Sequence, residues 1–311
     1  MTSGEEYRFE RIGPETYHHL VALVRKCFGK KITLEHVRAK YDTSRFGAAD
    51  IGYLAMTAEG IPAAYYGVFP IHVEIDQVVH LAAQSGDTMT DPAHQKRGLF
   101  IRLANVTYEL AKQSGVRFIF GFPNANSLPG FERKLGWSFS GELQDFKFLT
   151  GAFPLCEAAE RWPVLRPIHS AWVTFQKGEV RAMTTDERVG SFGGLVLHDR
   201  KFFNYKEGLG AFWVERAGIR FLVHPNVHLY IGEILLDDPS VGVDVAMHLK
   251  ALGRRFLCRQ AVCTFSTGHP LFSVLTKQTV SQPGLKIGYL DLGSGLPLDR
   301  MSYSRSDLDT F

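Results

Sequence analysis

Apolar positions change their spacing several times along the first 150 residues, and each change marks an element. Residues 7–12 read as a short strand. Pro14 then opens a helix in which Leu20, Leu23, Val24 and Phe28 recur at helical spacing, with Gly29 past its end. Thr33 precedes a second helix carrying Leu34, Val37 and Tyr41. Three runs rich in Val, Ile, Tyr and Phe follow at 51–57, 61–75 and 78–90, separated by short polar or Gly/Pro turns, the form of an antiparallel meander. A helical period returns at 98–113 through Ile101, Leu103, Ala104, Val106, Tyr108, Leu110 and Ala111, and Gly115 ends it. The apolar run from Phe118 to Phe122 predicts a buried strand. A short helix ending at Gly136 and a strand from Trp137 to Leu149 complete this part. Strand–helix–strand order implies a parallel crossover.

Pro154, Pro163 and Pro167 surround a helix predicted at 155–162 and mark a boundary, so the expected domains are 1–152 and 153–311. The second half offers strand-like runs at 171–183, 192–198, 211–223 and 228–236, then a helix at 241–252 and further strand. Its order again resembles strands, helix, strand, but no convincing sequence repeat is visible. The fold class read from this pattern is α/β (α+β).

Composition adds limits. With 311 residues, 45 % hydrophobic and 22 % charged, the chain can bury a large core and suits two domains or one elaborated one. Its net charge of +3, from 35 Lys+Arg against 32 Asp+Glu, comes without a basic block, which argues against nucleic acid as partner. The polar, acidic start MTSGEEYRFE lacks the basic-then-apolar pattern of a signal peptide, and no apolar run reaches bilayer length. A cytoplasmic protein with no membrane partner is expected. Cys27, Cys156, Cys258 and Cys263 lack zinc-ligand spacing, so buried free thiols and no metal are expected. No Ser/His/Asp or Cys/His order suggests a covalent acyl-enzyme.

Candidate chemistry concentrates between residues 78 and 137. A strand ends at Asp91-Pro92, and the turn Gln95-Lys96-Arg97-Gly98 feeds directly into a helix. The free amides and dipole of a helix N-terminus favour an anion, and Lys96 and Arg97 add full charges, so a pyrophosphate-bearing ligand suits this turn.

This segment resembles the acyl-CoA-binding core of the GNAT acyltransferase superfamily, whose phosphate turn follows Q/R-x-x-G-x-G/A. Gln95, Arg97 and Gly98 fall on that pattern, while Phe100 stands where the family prefers Gly or Ala. Asn124, Phe131 and Lys134-Leu135-Gly136-Trp137 match the family's later Asn, aromatic and K-L-G-aromatic positions. The resemblance implies a GNAT fold, a mixed and mostly antiparallel sheet with splayed central strands flanked by helices, and a second, smaller α/β domain completing the acceptor site, for which a degenerate GNAT-like half is one reading. It implies acetyl-CoA or another acyl-CoA as co-substrate. Thr88, Met89 and Thr90 would pair with the pantetheine arm as an added strand would. Gln95, Lys96, Arg97, Gly98, Leu99, Phe100 and Ile101 would form the pyrophosphate turn, and Asn124, Ser127 and Phe131 would lie beside the arm and thioester. Phe100 would crowd the phosphates only if its ring faces them. Many relatives have Tyr where Phe131 stands; without that acid the thiolate leaves unaided, or Tyr108 or Ser127 substitutes.

Asp87, on the strand before the thioester position and with Ser85 on the same face by a period of two, is the candidate base. Structural hydrogen bonding by Asp87, with the amine merely positioned, is the alternative. The chain length and short motifs further resemble the two-domain branch containing nucleotide-linked amino-sugar N-acyltransferases. That implies acyl transfer to the amine of a dTDP- or UDP-linked deoxyamino sugar, with Tyr205 or Trp213 as a platform for the base and Lys201, Lys206 and Arg216 nearby as cations; the alternative is that these aromatics are core of a β-rich domain. Asp307 and Asp309 are expected at the surface, with an approach to a sugar hydroxyl as the alternative. Two other classes stay open: a GNAT enzyme for a peptide, polyamine or antibiotic amine, and a non-catalytic acyl-CoA-binding scaffold. A homodimer is also left open.

Overall fold

The computed structural model describes residues 7–177, 193–236 and 244–311. The chain divides into two compact units: Met1–Ser140 with Lys286–Asp299, and Gly141–Leu285 with Arg300–Phe311. This differs from the contiguous split at 152/153, because a late segment returns to the first unit.

In the first unit β1 (Arg8–Arg11) precedes α1 (Tyr17–Phe28) and α2 (Leu34–Tyr41). Gly29 ends α1 in the left-handed conformation, and the Thr33 side chain caps α2 by accepting from the His36 N–H. The meander β2 (Ile51–Met56), β3 (Pro62–Ile75) and β4 (Val78–Thr90) is antiparallel throughout, with β1 beside β2. The chain then forms α3 (Leu99–Gln113), β5 (Phe118–Gly121) and α4 (Leu128–Lys134). As the crossover requires, β5 lies parallel to β4. Alternation along β3 feeds two cores. Tyr66 and Val68 join Leu103, Ala104 and Tyr108 of α3, whereas Tyr65 and Phe69 join Leu20, Leu23 and Val37 of α1 and α2.

β6 (Ser138–Leu149) carries the chain into the second unit, where α5 (Leu155–Arg161), α6 (Arg166–Lys177), β7 (Gly194–Val196) and α7 (Arg200–Gly208) follow. A second meander, β8 (Phe212–Arg216), β9 (Ile219–Pro225) and β10 (Leu229–Leu235), leads to α8 (Val245–Arg255), β11 (Gln260–Phe265) and α9 (Pro270–Thr276). The run expected at 211–223 is thus a hairpin, turned at Ala217 and Gly218, both with positive φ. β12 (Ser281–Asp291) returns the chain to the first unit, and β13 (Met301–Ser302) pairs with β7 in the second.

The second unit repeats the first in element order: meander, helix, parallel strand, helix, final strand. β10 and β11 are parallel, as are β4 and β5. The final strands are exchanged, since β12 closes the first unit against β5 and β6 closes the second against β11.

The strand expected at 171–183 is instead helical over 171–177, within α6; residues 178–183 lie outside the described residues. Trp172, Val173, Thr174 and Phe175 suit a strand by composition, but here Trp172 donates its indole N–H to the Arg255 carbonyl at 2.9 Å, a tertiary contact that overrides local preference. The helix expected at 241–252 begins at Val245, with 241–243 outside the described residues.

Candidate active site

The site is built where two strands of the first unit part. β4 and β5 pair over Ala83↔Ile119, Gln84↔Phe120 and Ser85↔Gly121. Pairing on that side stops there among the described residues, while β4 continues to Thr90 against β3. A bulge separates the two stretches of the β3–β4 ladder, with Asp87 at a φ of 51°. Thr88 and Thr90 are half-buried along the parted edge, and Met89 is core.

That bulge corrects one expectation. A regular strand would put Ser85 and Asp87 on one face, but the extra residue reverses the alternation. Ser85 faces the α3 core, where its hydroxyl lies 2.8 Å from that of Tyr66. Tyr66 is 3.1 Å from the Tyr108 hydroxyl, which accepts from the Trp137 indole at 2.9 Å. Burial holds the Tyr66 and Tyr108 phenols above their usual range, so both stay protonated. Asp87 faces the α1–α2 core instead. Its carboxylate accepts from Lys40 Nζ at 2.8 Å and from the Tyr41 hydroxyl at 3.0 Å.

Past β4, Asp91 caps a short turn by accepting from the Ala93 N–H and ion-pairs with Lys26 at 3.0 Å. Gln95, Lys96, Arg97 and Gly98 are exposed. Gly98, at a φ of 73°, is the N-cap of α3, and no side chain caps that end. The amides of Leu99, Phe100 and Ile101 therefore open the helix without intrahelical acceptors. Arg97 donates from Nη1 to the Tyr7 hydroxyl at 2.9 Å, which holds its guanidinium beside Tyr7.

The Phe100 ring turns inward. It packs 5.2 Å from the Phe131 ring, and a Cβ on Gly130 would come within 2.5 Å of it. Its bulk therefore does not crowd the turn, and its amide stays in place. Phe131 is itself core, 4.5 Å from the Trp137 ring. Asn124 is exposed and holds the start of α4, its Oδ1 accepting from the Asn126 and Ser127 amides at 3.0 and 3.1 Å.

In the second unit the expected platform does not form on the named residues. Tyr205 is 6 % and Trp213 3 % exposed, and Trp213 packs against Phe203 at 5.0 Å. A stacking platform needs an open ring face, and these rings are core. Lys206 is buried and donates to the Leu308 carbonyl at 2.8 Å, whereas Lys201 and Arg216 are exposed. Asp307, expected at the surface, is buried 2.7 Å from His198 Nε2; Asp309 is half-buried. His198 Nδ1 lies 3.4 Å from Glu233. Burial alone would lower the His198 pKa, but the Glu233 and Asp307 carboxylates outweigh it and hold the pKa above the ordinary value.

The cysteine expectation is also corrected. Cys156 and Cys258 form a disulfide, leaving Cys27 and Cys263 free. The spacing of 102 residues hid the pair from sequence reading. His169 Nε2 lies 3.2 Å from the Cys156 sulfur, but sulfurs bonded to each other present no thiolate to a metal. Among the described residues no helix is long and apolar enough to cross a membrane.

Residues 8–140 match the family described as acetyltransferase (GNAT) domain. None of the curated proteins matches the chain in sequence. Among solved structures, a GCN5-related N-acetyltransferase from Kribbella flavida is similar over 94 % of this chain and 72 % of its own, at 13 % identity and a TM-score of 0.57. A putative acetyltransferase from Pyrococcus horikoshii matches 96 % of this chain and 94 % of its own, at 13 % identity and a TM-score of 0.51. A fungal multi-domain β-N-acetylglucosaminidase containing a glucosamine N-acetyltransferase region matches 93 % of this chain and 38 % of its own, at 10 % identity and a TM-score of 0.55. The chain thus has the GNAT fold, and the match to the acetyltransferase domain family falls on residues 8–140.

Proposed function

We propose that the protein is an acyl-CoA-dependent N-acyltransferase acting on the amine of an amino sugar. A nucleotide-linked deoxyamino sugar is the form the sequence motifs favour. One observation carries the reading: within one unit, a parted parallel strand pair is followed by an uncapped helix N-terminus flanked by Lys96 and Arg97. The parted edge at Thr88–Thr90 suits the amides of an extended pantetheine arm. The α3 amides and the two cations suit its pyrophosphate.

The acceptor amine attacks the thioester carbonyl, forming C–N as C–S breaks. The amine's proton passes to Asp87, directly or through water; each carboxylate oxygen keeps an acceptor position beyond its bond to Lys40 or Tyr41. With Phe at 131, departure of the thiolate without an adjacent acid is chemically tolerable, a free thiol having a pKa of about 8.5. The fold also serves a fungal region named for glucosamine, which supports an amino-sugar acceptor. Burial of Tyr205 and Trp213 means that a nucleotide, where present, is held by other residues.

Calorimetry tests the co-substrate. Lys96→Glu combined with Arg97→Glu should weaken acetyl-CoA binding well beyond tenfold, about 1.4 kcal/mol for each factor of ten. Unchanged affinity in a folded variant refutes the assignment. Thiol release then tests the acceptor: glucosamine-type amines and dTDP- or UDP-amino sugars should turn over, and turnover confined to peptides or polyamines rejects the sugar.

A further inference from the structure

The parted strands of the first unit have a counterpart in the second. β10 and β11 pair over Leu229↔Ala261, Tyr230↔Val262 and Ile231↔Cys263, three pairs as in β4 and β5. The last of these pairs coincides with a bulge on the other side of β10, between Ile231 and Glu233 in its ladder with β9, as the β3–β4 bulge at Asp87 follows Ser85. Gly86-Asp87 and Gly232-Glu233 each follow directly on the last parallel pair, the bulged residue being Asp87 in β4 and Gly232 in β10.

The second cleft is filled by residues 303–311. Ser304 bridges Phe265 at the end of β11 as an antiparallel partner, and the Ser266 N–H donates to the Tyr303 carbonyl at 2.9 Å. Across the cleft, the Ser304 and Ser306 hydroxyls donate to the Glu233 carboxylate, the second at 2.7 Å. Asp307 accepts from the Ser304 N–H at 2.7 Å, and His198 stands between Asp307 and Glu233. The Phe311 ring covers Gly232, where a Cβ would come within 2.4 Å of it. Tyr303, Ser304, Ser306, Asp307, Leu308 and Phe311 are all at most 4 % exposed. One antiparallel bridge at Ser304 and a 3-10 turn at Arg305–Asp307 thus fill the place that an added strand would take at an open sheet edge.

The anion position of the second unit is also taken. α3 starts at Gly98 with no side-chain cap, whereas α8 starts at Asp244, whose carboxylate accepts from the Met247 N–H at 2.9 Å. A carboxylate there repels a phosphate.

We infer that the cleft between β10 and β11 is a binding site for the chain's own residues 303–311, held through Glu233 and His198, and that the protein carries one acyl-CoA site rather than two. The count of one rests on the reading of the first unit given above; the self-occupied cleft does not.

Hydrogen exchange on the full chain, read by mass spectrometry, tests the cleft, and calorimetry with acetyl-CoA tests the count. Peptides covering 303–311 should be protected as strongly as those of β10 and β11. Gly232→Ala, which drives a methyl into the Phe311 ring, and the pair Ser304→Ala with Ser306→Ala should each speed exchange of 303–311 by about tenfold or more. Exchange in β2–β4 should stay as in the wild type, and one acetyl-CoA should still bind. Fast exchange of 303–311 in the wild type, or a second acetyl-CoA bound by either variant, overturns the inference. Should a variant not fold, wild-type protection decides alone. A wild type that protects 303–311 but binds no acetyl-CoA keeps the cleft and removes only the reading of the first unit.

Discussion

Asp87 sits at the one position of β4 where backbone geometry, charge and location converge. Its φ of 51° belongs to the bulge, which turns its carboxylate toward Lys40 and Tyr41 and away from Ser85. Two roles follow from that placement, proton acceptor and structural pin, and they separate experimentally. As acceptor, Asp87→Asn should lower kcat by about 10²–10⁴ while acetyl-CoA affinity stays near normal, and the loss should shrink at high pH where the amine is already neutral. As a pin, the same variant should lose stability through the broken ion pair and keep kcat, so measuring kcat beside a denaturation midpoint decides. The sequence singled out Asp87 but not its partners. Lys40 and Tyr41 read there only as the end of a short helix, because their meeting with β4 depends on how α2 packs.

At the scale of elements, the second unit combines weak local signals with strong tertiary ones. α6 contains a stretch of strand-forming residues, and its helical state accompanies contacts made far along the chain, including Trp172 with Arg255. The Cys156–Cys258 disulfide ties the start of α5 to the segment joining α8 and β11. A cross-link over a long loop restricts the unfolded chain, typically by about 2–4 kcal/mol. Cys258→Ser should therefore lower unfolding stability by about that amount under oxidising conditions, and the difference from the parent should shrink once reductant is added. Denaturant titrations of both proteins, with and without reductant, check this. A constant difference would assign the loss to packing at this buried position.

For the whole molecule, two histidines of the second unit set opposite pH limits. His269 caps α9 by accepting from the Leu271 N–H at 3.2 Å, and burial lowers its pKa to about 3. Its unfolded value is near 6.5, so between pH 6.5 and about 3 the unfolded chain takes up a proton the folded one refuses. Stability falls as pH falls through that window, by up to about 1.4 kcal/mol per pH unit. His198 works in the opposite sense. Its raised pKa gives a contribution complete below the unfolded value and lost as pH rises through the folded one. Glu233, pushed up by burial, also disfavours the folded state as pH rises from its ordinary value of 4.5. Unfolding stability against pH should show a maximum with an acid limb that flattens in His269→Gln, since the amide oxygen can cap without titrating. An unchanged acid limb would exclude His269 as its source.

Local pattern determined most of the first unit: the meander, the α3 period, the Gly98 turn and the parallel crossover all follow from residues near one another in the chain. The same holds for Gln95–Ile101, whose chemistry is a turn feeding a helix. Tertiary structure decided what depends on distant partners. It put Ser85 and Asp87 on opposite faces through one bulge, sent the Phe100 ring into the core, joined two cysteines about a hundred residues apart and buried Tyr205 and Trp213. It also gave body to a repeat legible in the sequence only as an order of elements, because the two units share that order while their side chains have diverged. Periodicity reports which face of an element is apolar; which segment covers that face depends on the whole chain closing on itself.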